Sequence, residues 1–493
     1  MRTEHHHGRL IPTRSRSKRN ISLASVVVAM LMTSLISVSV AGPAIAGPSS
    51  SSLPRYSTQG LWVVDSSGRH LVLRGFDVSG DSLLYGPADF AAIRSTGATV
   101  VRLPMAWANI EPQPGVYDTT AIDHIVDVVR WAGDAGLLVV LDMHQDSWGP
   151  CFGGDGAPAW ASSPCTDLAP TVASLPGVSS VPGSSVITGF GVGITLDPAA
   201  AETTFWTSHS LQEQYASAWA EVASAVGSPK WLLGYDMMNE PPAGLVPPGV
   251  FESTVLPAFY RLVGGSLRSV DPGALLFAEP GLTHSAATAS SSLLAPIGLA
   301  RVVYAPHEYG TSGNDGSGDV WDFLGPTQFA PDLALDQFQA TRMGAALWLG
   351  EWGSVNPAST ISYNESNYVP DMVSAQDADM IGSVYWAYST TGYWPKGDLT
   401  RMCPFAVAGT PLSFTTGAHA VSFSWTAVAG TTVVSLPAGA MPVLTVTQGE
   451  LTARAVYNTD GTTVAPGTSV GAEGGWLDLT APPGTTVSIE VTA

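Results

Sequence analysis

Two apolar runs each stop at a glutamate: Tyr235-Asp236-Met237-Met238-Asn239-Glu240-Pro241 and Leu347-Trp348-Leu349-Gly350-Glu351-Trp352-Gly353. A carboxylate at the terminus of a buried parallel strand belongs to a catalytic mouth rather than to a core. Two such groups facing one bond are what glycoside hydrolysis needs: one protonates the leaving oxygen, and the other attacks the anomeric carbon or activates water.

Such a mouth requires a barrel to hold it. Eight apolar runs recur along the chain: Leu71 to Val78, Thr99 to Leu103, Leu137 to Met143, Leu232 to Met238, Ala274 to Ala278, Val302 to Ala305, Ala346 to Gly350 and Gly382 to Tyr388. Amphipathic stretches separate them, as at Thr120 to Ala135, where Ile122, Ile125, Val126, Val129 and Trp131 follow a 3.6-residue stripe, and at Leu211 to Val226. Strands alternating with helices predict an α/β fold, a (β/α)8 TIM barrel over residues 56–403. The Gly- and Pro-rich segment 145–209 exceeds an ordinary strand-to-helix connection and reads as a substrate-covering loop. From residue 404 onward, short alternating Val/Thr-rich strands punctuated by Gly and Pro predict a C-terminal antiparallel β-sandwich over 404–493, with packing support as its expected role.

Polar residues at the ends of the predicted barrel strands complete the candidate site. The second gives Arg102, the third His144, Gln145 and Asp146, the fourth Asn239 and Glu240, the sixth His307 and Tyr309, the seventh Glu351 and the eighth Trp386. Glu279 and Glu308 are further carboxylates near strand ends, ranked below the two glutamates. Glu308 alternates away from its neighbours if the strand persists.

Composition bounds the rest. Arg14, Arg16, Lys18 and Arg19, then the apolar run Ile21 to Val40 and Ala44-Ile45-Ala46, read as a secretion signal peptide over residues 1–46, followed by a Ser/Pro-rich leader over 47–55. The expected location is therefore extracellular. The lead holds six of the 20 basic and one of the 40 acidic residues, so its removal leaves 14 against 39, a formal charge of −25. That surface repels phosphate backbones, which excludes nucleic acid as the expected partner. Cys151 and Cys165 would close a short loop as one disulfide, leaving Cys403 free. No metal or cofactor is expected: the cysteine spacing matches no zinc ligand set, and Asn314 to Asp319 lacks the glutamate of a calcium loop.

The ordered set of strand-end residues, above all Asn239-Glu240-Pro241 and Gly350-Glu351-Trp352-Gly353, resembles glycoside hydrolase family 5, over roughly residues 56 to 400. Within that family, Leu141-Asp142-Met143-His144-Gln145-Asp146 and Gly154-Asp155-Gly156-Ala157-Pro158-Ala159-Trp160 look like the actinobacterial endoglycoceramidase branch. The resemblance implies a retaining mechanism without cofactor, in which Glu351 is the nucleophile, held ionised by Tyr309 and Arg102. Glu240 is then the acid/base, since like charges about 5 Å apart resist joint ionisation. Asn239 would hold the sugar 2-hydroxyl, His144 and His307 would line the sugar site, Asp146 would meet a hydroxyl or cap the loop, and Trp386 would floor the pyranose. The implied substrate is a glycosphingolipid, with a sugar slot on one side of the carboxylates and an apolar trough on the other. Trp148, Phe152, Trp160, Phe205, Trp206, Trp321, Phe323, Tyr393 and Trp394 are candidates to line the trough or meet a micelle surface. The alternatives are an endo-β-1,4-glucanase or mannanase with a long polar cleft, and a non-catalytic glycan-binding barrel. Which glycolipid series is cut, and the oligomeric state, are not legible.

Overall fold

A computed structural model describes residues 55–163, 165, 178–181, 184–188, 193–284, 293–309, 322–353, 365–390 and 394–493, with residues 178–197, 322–324 and 365–367 described by backbone alone. The proposed signal peptide, nearly all of the leader and the Asn314 to Asp319 turn lie outside these residues. Among the described residues no helix is long and apolar enough to cross a membrane.

Eight parallel strands close a barrel in chain order: β1 (Arg74–Val78), β2 (Val100–Ala106), β3 (Leu138–His144), β4 (Leu232–Asp236), β5 (Leu275–Ala278), β6 (Val302–Tyr304), β7 (Ala346–Leu349) and β8 (Gly382–Tyr388). These are the eight apolar runs with their ends shifted by up to three residues: β2 runs on to Ala106 and β3 to His144, β8 is unchanged, and the others are shorter. Period-two alternation sends Val100, Val140, Leu275, Phe277, Val303, Ala305, Trp348 and Val384 into one cluster inside the barrel, while Val101, Val139, Leu141, Leu276 and Tyr304 face the helices. The same inward parity carries Arg102, Asp142, His144, Glu279 and His307 to the upper end of the lumen.

The helices outside are capped by local sequence. Thr119–Asp134 begins where the Asp118 side chain accepts from the Thr120 and Ala121 amides, and it buries Ile122, Ile125, Val128, Val129 and Ala132. His209–Val226 begins at Ser208, whose hydroxyl accepts from Leu211 N, and ends at Gly227 with φ +68°. The 145–209 insertion carries its own structure. A turn tied by Ala157 N to Trp148 O and by the Cys151–Cys165 disulfide leads to three short antiparallel strands and the helix Leu196–Thr207.

The second module differs from the sequence expectation at its edge. A four-stranded sheet (Gly409–Thr416, Ala420–Ala427, Thr486–Thr492, Val443–Gln448) faces a seven-stranded one. The larger sheet takes Cys403–Val407, Thr432–Leu436, Gly475–Thr480 and Ala453–Asn458 from the C-terminal part, and Tyr56–Gln59, Trp62–Asp65 and His70–Leu71 from the N-terminal part. Residues 56–71, assigned to the barrel from sequence, therefore belong to this sheet, joined to it through His70–Leu71, with Val407 opposite His70 and Ala406 opposite Leu71. The apolar run from Leu71 onward is continuous across two sheets, so hydropathy alone could not divide it.

Between the modules, Arg94 is fully buried and stacks 4.0 Å over the Trp476 ring while its Nη2 donates to Gly475 O at 2.7 Å. Phe405 packs beside the same ring. Trp476 is thus a packing residue, in keeping with a supporting role for the sandwich.

Candidate active site

Arg102 organises the mouth. It is completely buried, and its five N–H groups are all engaged: Nε donates to Asp236 Oδ2 at 2.9 Å, Nη1 to Asp77 at 3.1 Å and Glu351 at 2.7 Å, and Nη2 to Asn239 Oδ1 at 2.9 Å and Glu279 at 2.8 Å. Asp142 Oδ1 adds an ion-pair contact at 3.1 Å. Burial pushes the Asp77 and Asp236 carboxyls well above the usual range, and the Arg102 guanidinium opposes this.

Glu351, just beyond β7, accepts from Tyr309 Oη at 2.6 Å as well as from Arg102. The β6–β7 pairing continues past the strands, with Glu308 N donating to Glu351 O at 2.9 Å, and this sets His307 and Tyr309 beside the carboxylate. Burial raises the Glu351 pKa, while His307 and Arg102 pull it down.

Glu240 follows β4 in a left-handed conformation, φ +38°. Such a backbone costs on the order of 1 kcal/mol or more and persists only where its surroundings impose it. Here Glu240 N donates to Glu279 Oε2 at 2.7 Å, Gln145 Nε2 donates to the carbonyls of Asn239 and Glu240 at 3.2 and 3.1 Å, and Asn239 N donates to Met143 O at 3.1 Å. The Glu240 side chain is the more open of the two glutamates, 17% exposed against 5% for Glu351. His307 Nδ1 lies 3.0 Å from Glu240 and 3.4 Å from Glu351, and its Nε2 is 3.2 Å from Glu279. Although burial works against it, the charges of Glu279 and Glu351 raise the His307 pKa well above the ordinary value. One oxygen of Glu240 and one of Glu351 lie within 4.8 Å of each other.

His144 bonds Asp142 Oδ2 through Nδ1 at 2.7 Å and stacks on Trp386, with centroids 5.3 Å apart and planes 6° from parallel. Burial works to lower the pKa of this ring, but Asp142 raises it well above the ordinary value. Asp146 stands exposed at the mouth. Its backbone pairs with Asp155, and its Oδ2 is 3.6 Å from His144 Nε2, beyond hydrogen-bond reach.

All ten strand-end residues named from the sequence, Gln145 among them, thus gather at one end of the barrel. Four others do as well: Asp77, Asp142 and Asp236 went unremarked as site residues, and Glu279 is a clamp on Arg102, His307 and the Glu240 backbone rather than a rival catalyst. The proposed trough fares differently. Trp148, Phe205 and Trp206 are buried, and Phe205 packs edge-on or tilted against both other rings and against Trp107, Tyr215 and Phe259. They are core and not trough, because they pack the 145–209 insertion onto the helices around the barrel. Phe152, Trp160 and Trp394 are partly buried, and Trp321, Phe323 and Tyr393 fall outside the described side chains.

The family profile described as cellulase (glycosyl hydrolase family 5) matches residues 64–392. An endoglycoceramidase of Cyanea nozakii is 25% identical over 245 residues, 44% of this chain and 49% of that one. Endoglycoceramidase I of Rhodococcus hoagii (strain 103S) is 26% identical over 271 residues, 51% of this chain and 52% of that one. The chain thus spans about half the length of these curated relatives. Endo-glycoceramidase II from Rhodococcus sp., solved with ganglioside GM3, superposes with a TM-score of 0.71 at 24% identity over 88% of this chain and 99% of that one, which shows the shared fold. The chain belongs to glycosyl hydrolase family 5.

Proposed function

We propose that the protein is a retaining endo-β-glycosidase that hydrolyses the bond between oligosaccharide and ceramide in glycosphingolipids by double displacement. The carrying observation is the separation of the two carboxylates: oxygens within 4.8 Å fit direct attack on the anomeric carbon and leave too little room for the intervening water of an inverting site. Glu351, held by Arg102 and Tyr309, attacks C1 while Glu240 gives its proton to the glycosidic oxygen, and ceramide departs with its hydroxyl restored. Loss of the Glu351 charge then lets Glu240 take a proton from water, which attacks C1 and frees the sugar with its β configuration. Asn239, oriented by Arg102 and by its own Nδ2 bond to Gln145 O at 3.1 Å, faces the 2-hydroxyl. The exposed Asp146 and the His144–Trp386 stack take the sugar's other face.

The ceramide half rests on the similarity to endoglycoceramidases and on the rim. Leu84, Val116, Leu245, Val250 and Leu282 are 78, 52, 61, 49 and 37% exposed. All five sit on connections that follow barrel strands, hence on the catalytic face. An apolar rim there suits a substrate embedded in a micelle or bilayer. Export rests on the basic and apolar lead and on the Cys151–Cys165 disulfide, a bond that persists in oxidising compartments.

Incubation with lactosylceramide, a 6-gala-series lipid and carboxymethylcellulose in separate tubes, followed by mass spectrometry and proton NMR of the first product, tests the reading. Release of ceramide with the β-anomer formed first is expected. Polysaccharide cleavage without ceramide would reassign the substrate, and an α-anomer would overturn the mechanism. Glu240→Gly should lose several orders of magnitude in rate and recover with azide, whereas Glu351→Gly should yield no β-azide product.

A further inference from the structure

Glu308 lies between His307 and Tyr309 yet points the other way. Side chains alternate along an extended segment, so while its neighbours face Glu351, Glu308 turns out of the lumen. There it meets His284, from the turn after β5, and Asp336, from the helix Ala330–Met343. All three are buried. His284 Nε2 is 3.1 Å from Asp336 Oδ1 and 3.3 Å from Glu308 Oε1, and one ligand-type atom from each residue lies within 4.8 Å of the others. None of them takes part in the chemistry above.

A hydrogen bond from the His284 ring reaches one of these carboxylates at a time. One ring nitrogen carries one proton and makes one well-aligned bond, yet two carboxylates stand at nearly equal distance from it. The same separations match the edges of a coordination polyhedron, because bonds of about 2.0–2.1 Å at tetrahedral angles set ligand atoms about 3.3–3.4 Å apart. Unused acceptors point the same way: Asp336 Oδ2 and Glu252 Oε2 are buried without hydrogen-bond partners, and an acceptor buried without a donor or cation is costly.

We propose that His284, Glu308 and Asp336 bind one divalent transition-metal ion, zinc in preference to calcium or magnesium, as a structural site behind β6. An imidazole joined to two carboxylates suits zinc, whereas calcium and magnesium take oxygen ligands. Binding requires a neutral ring and ionised carboxylates, so it releases protons. It also fixes residue 308 in place, and with it the flanking residues that touch Glu351 and Glu240.

The test uses the full chain, stripped with a chelator and then titrated with Zn2+, Ca2+ or Mg2+, with elemental analysis after gel filtration and a thermal melt as readouts. Wild type is expected to retain one zinc per chain more than His284→Gln or Asp336→Asn, a comparison that subtracts any zinc held by His5 to His7. Its Tm should rise by several degrees with zinc and not with the other ions. Equal zinc content in wild type and folded variants, or a wild-type Tm indifferent to zinc, would overturn the site. Should either variant fail to fold, proton release and the Tm rise on adding zinc to wild type decide the matter. Neither readout depends on glycolipid hydrolysis.

Discussion

Arg102 exhausts its donors on four carboxylates and one amide, so no group touching it can move alone. Glu351 lies at the end of this network, and its titration should be visible in the kinetics. The nucleophile acts when ionised, and burial raises its pKa in the folded enzyme. kcat/KM should therefore fall with decreasing pH earlier than an ordinary carboxylate would dictate. Tyr309 bonds the ionised form, so Tyr309→Phe should move that acid limb upward by about one pH unit, and a pH–rate profile that fails to move would disprove the contact's role. Glu279→Gln should lower kcat more than it changes KM, because it removes a carboxylate from the Glu240 amide and His307 without touching substrate. At this scale the strand-end residues were legible from position alone. Asp77, Asp142 and Asp236 were not, since each is hidden inside an apolar run. The available signal was parity: Asp142 lies two residues before His144 and so shares its face, and a charge inside a buried strand requires a partner such as Arg102.

At the scale of elements, the helix Leu196–Thr207 clamps the loop that follows Glu240. Trp206 Nε1 donates to Pro242 O at 2.6 Å, and Leu245 N donates to Thr203 Oγ1 at 2.8 Å. Glu202 sits in this joint, where burial pushes its pKa up to about 8 against the Gly244 amide that accompanies it. The folded state then holds a proton that the unfolded chain releases near pH 4.5. Stability from this group is complete below that pH, declines as pH rises and is lost above about 8. Glu202→Gln should match wild type near pH 4 and exceed it by a few kcal/mol above pH 8, to order of magnitude, as read from denaturant or thermal midpoints across pH. Equal pH slopes would show the carboxyl to be ionised in the fold. The eight barrel strands were legible because continuous apolar runs of this length between helical stripes have few other homes. This helix was not, being one element within a long Gly- and Pro-rich insertion whose period is weak.

At the scale of the molecule, barrel and sandwich are joined by side chains that neither could leave unpaired. Arg94 is buried against Trp476, Ser435 Oγ donates to Gly97 O at 2.7 Å, and Arg401 Nη1 donates to Thr416 O at 3.0 Å. A chain ending at residue 402 should accordingly be insoluble or lack a cooperative melt, and a soluble, active barrel of unchanged Tm would contradict that. The composition change near residue 404 announced the sandwich, but nothing in hydropathy announced that residues 56–71 would complete its sheet. That completion joins His70 and Leu71 to strands more than 300 residues downstream. Contacts of such long range form late and slowly. During synthesis the early strands would therefore wait as unpaired edges until Cys403–Val407 has emerged, which makes this segment the place where a folding helper, or a misassembled neighbour, would first take hold.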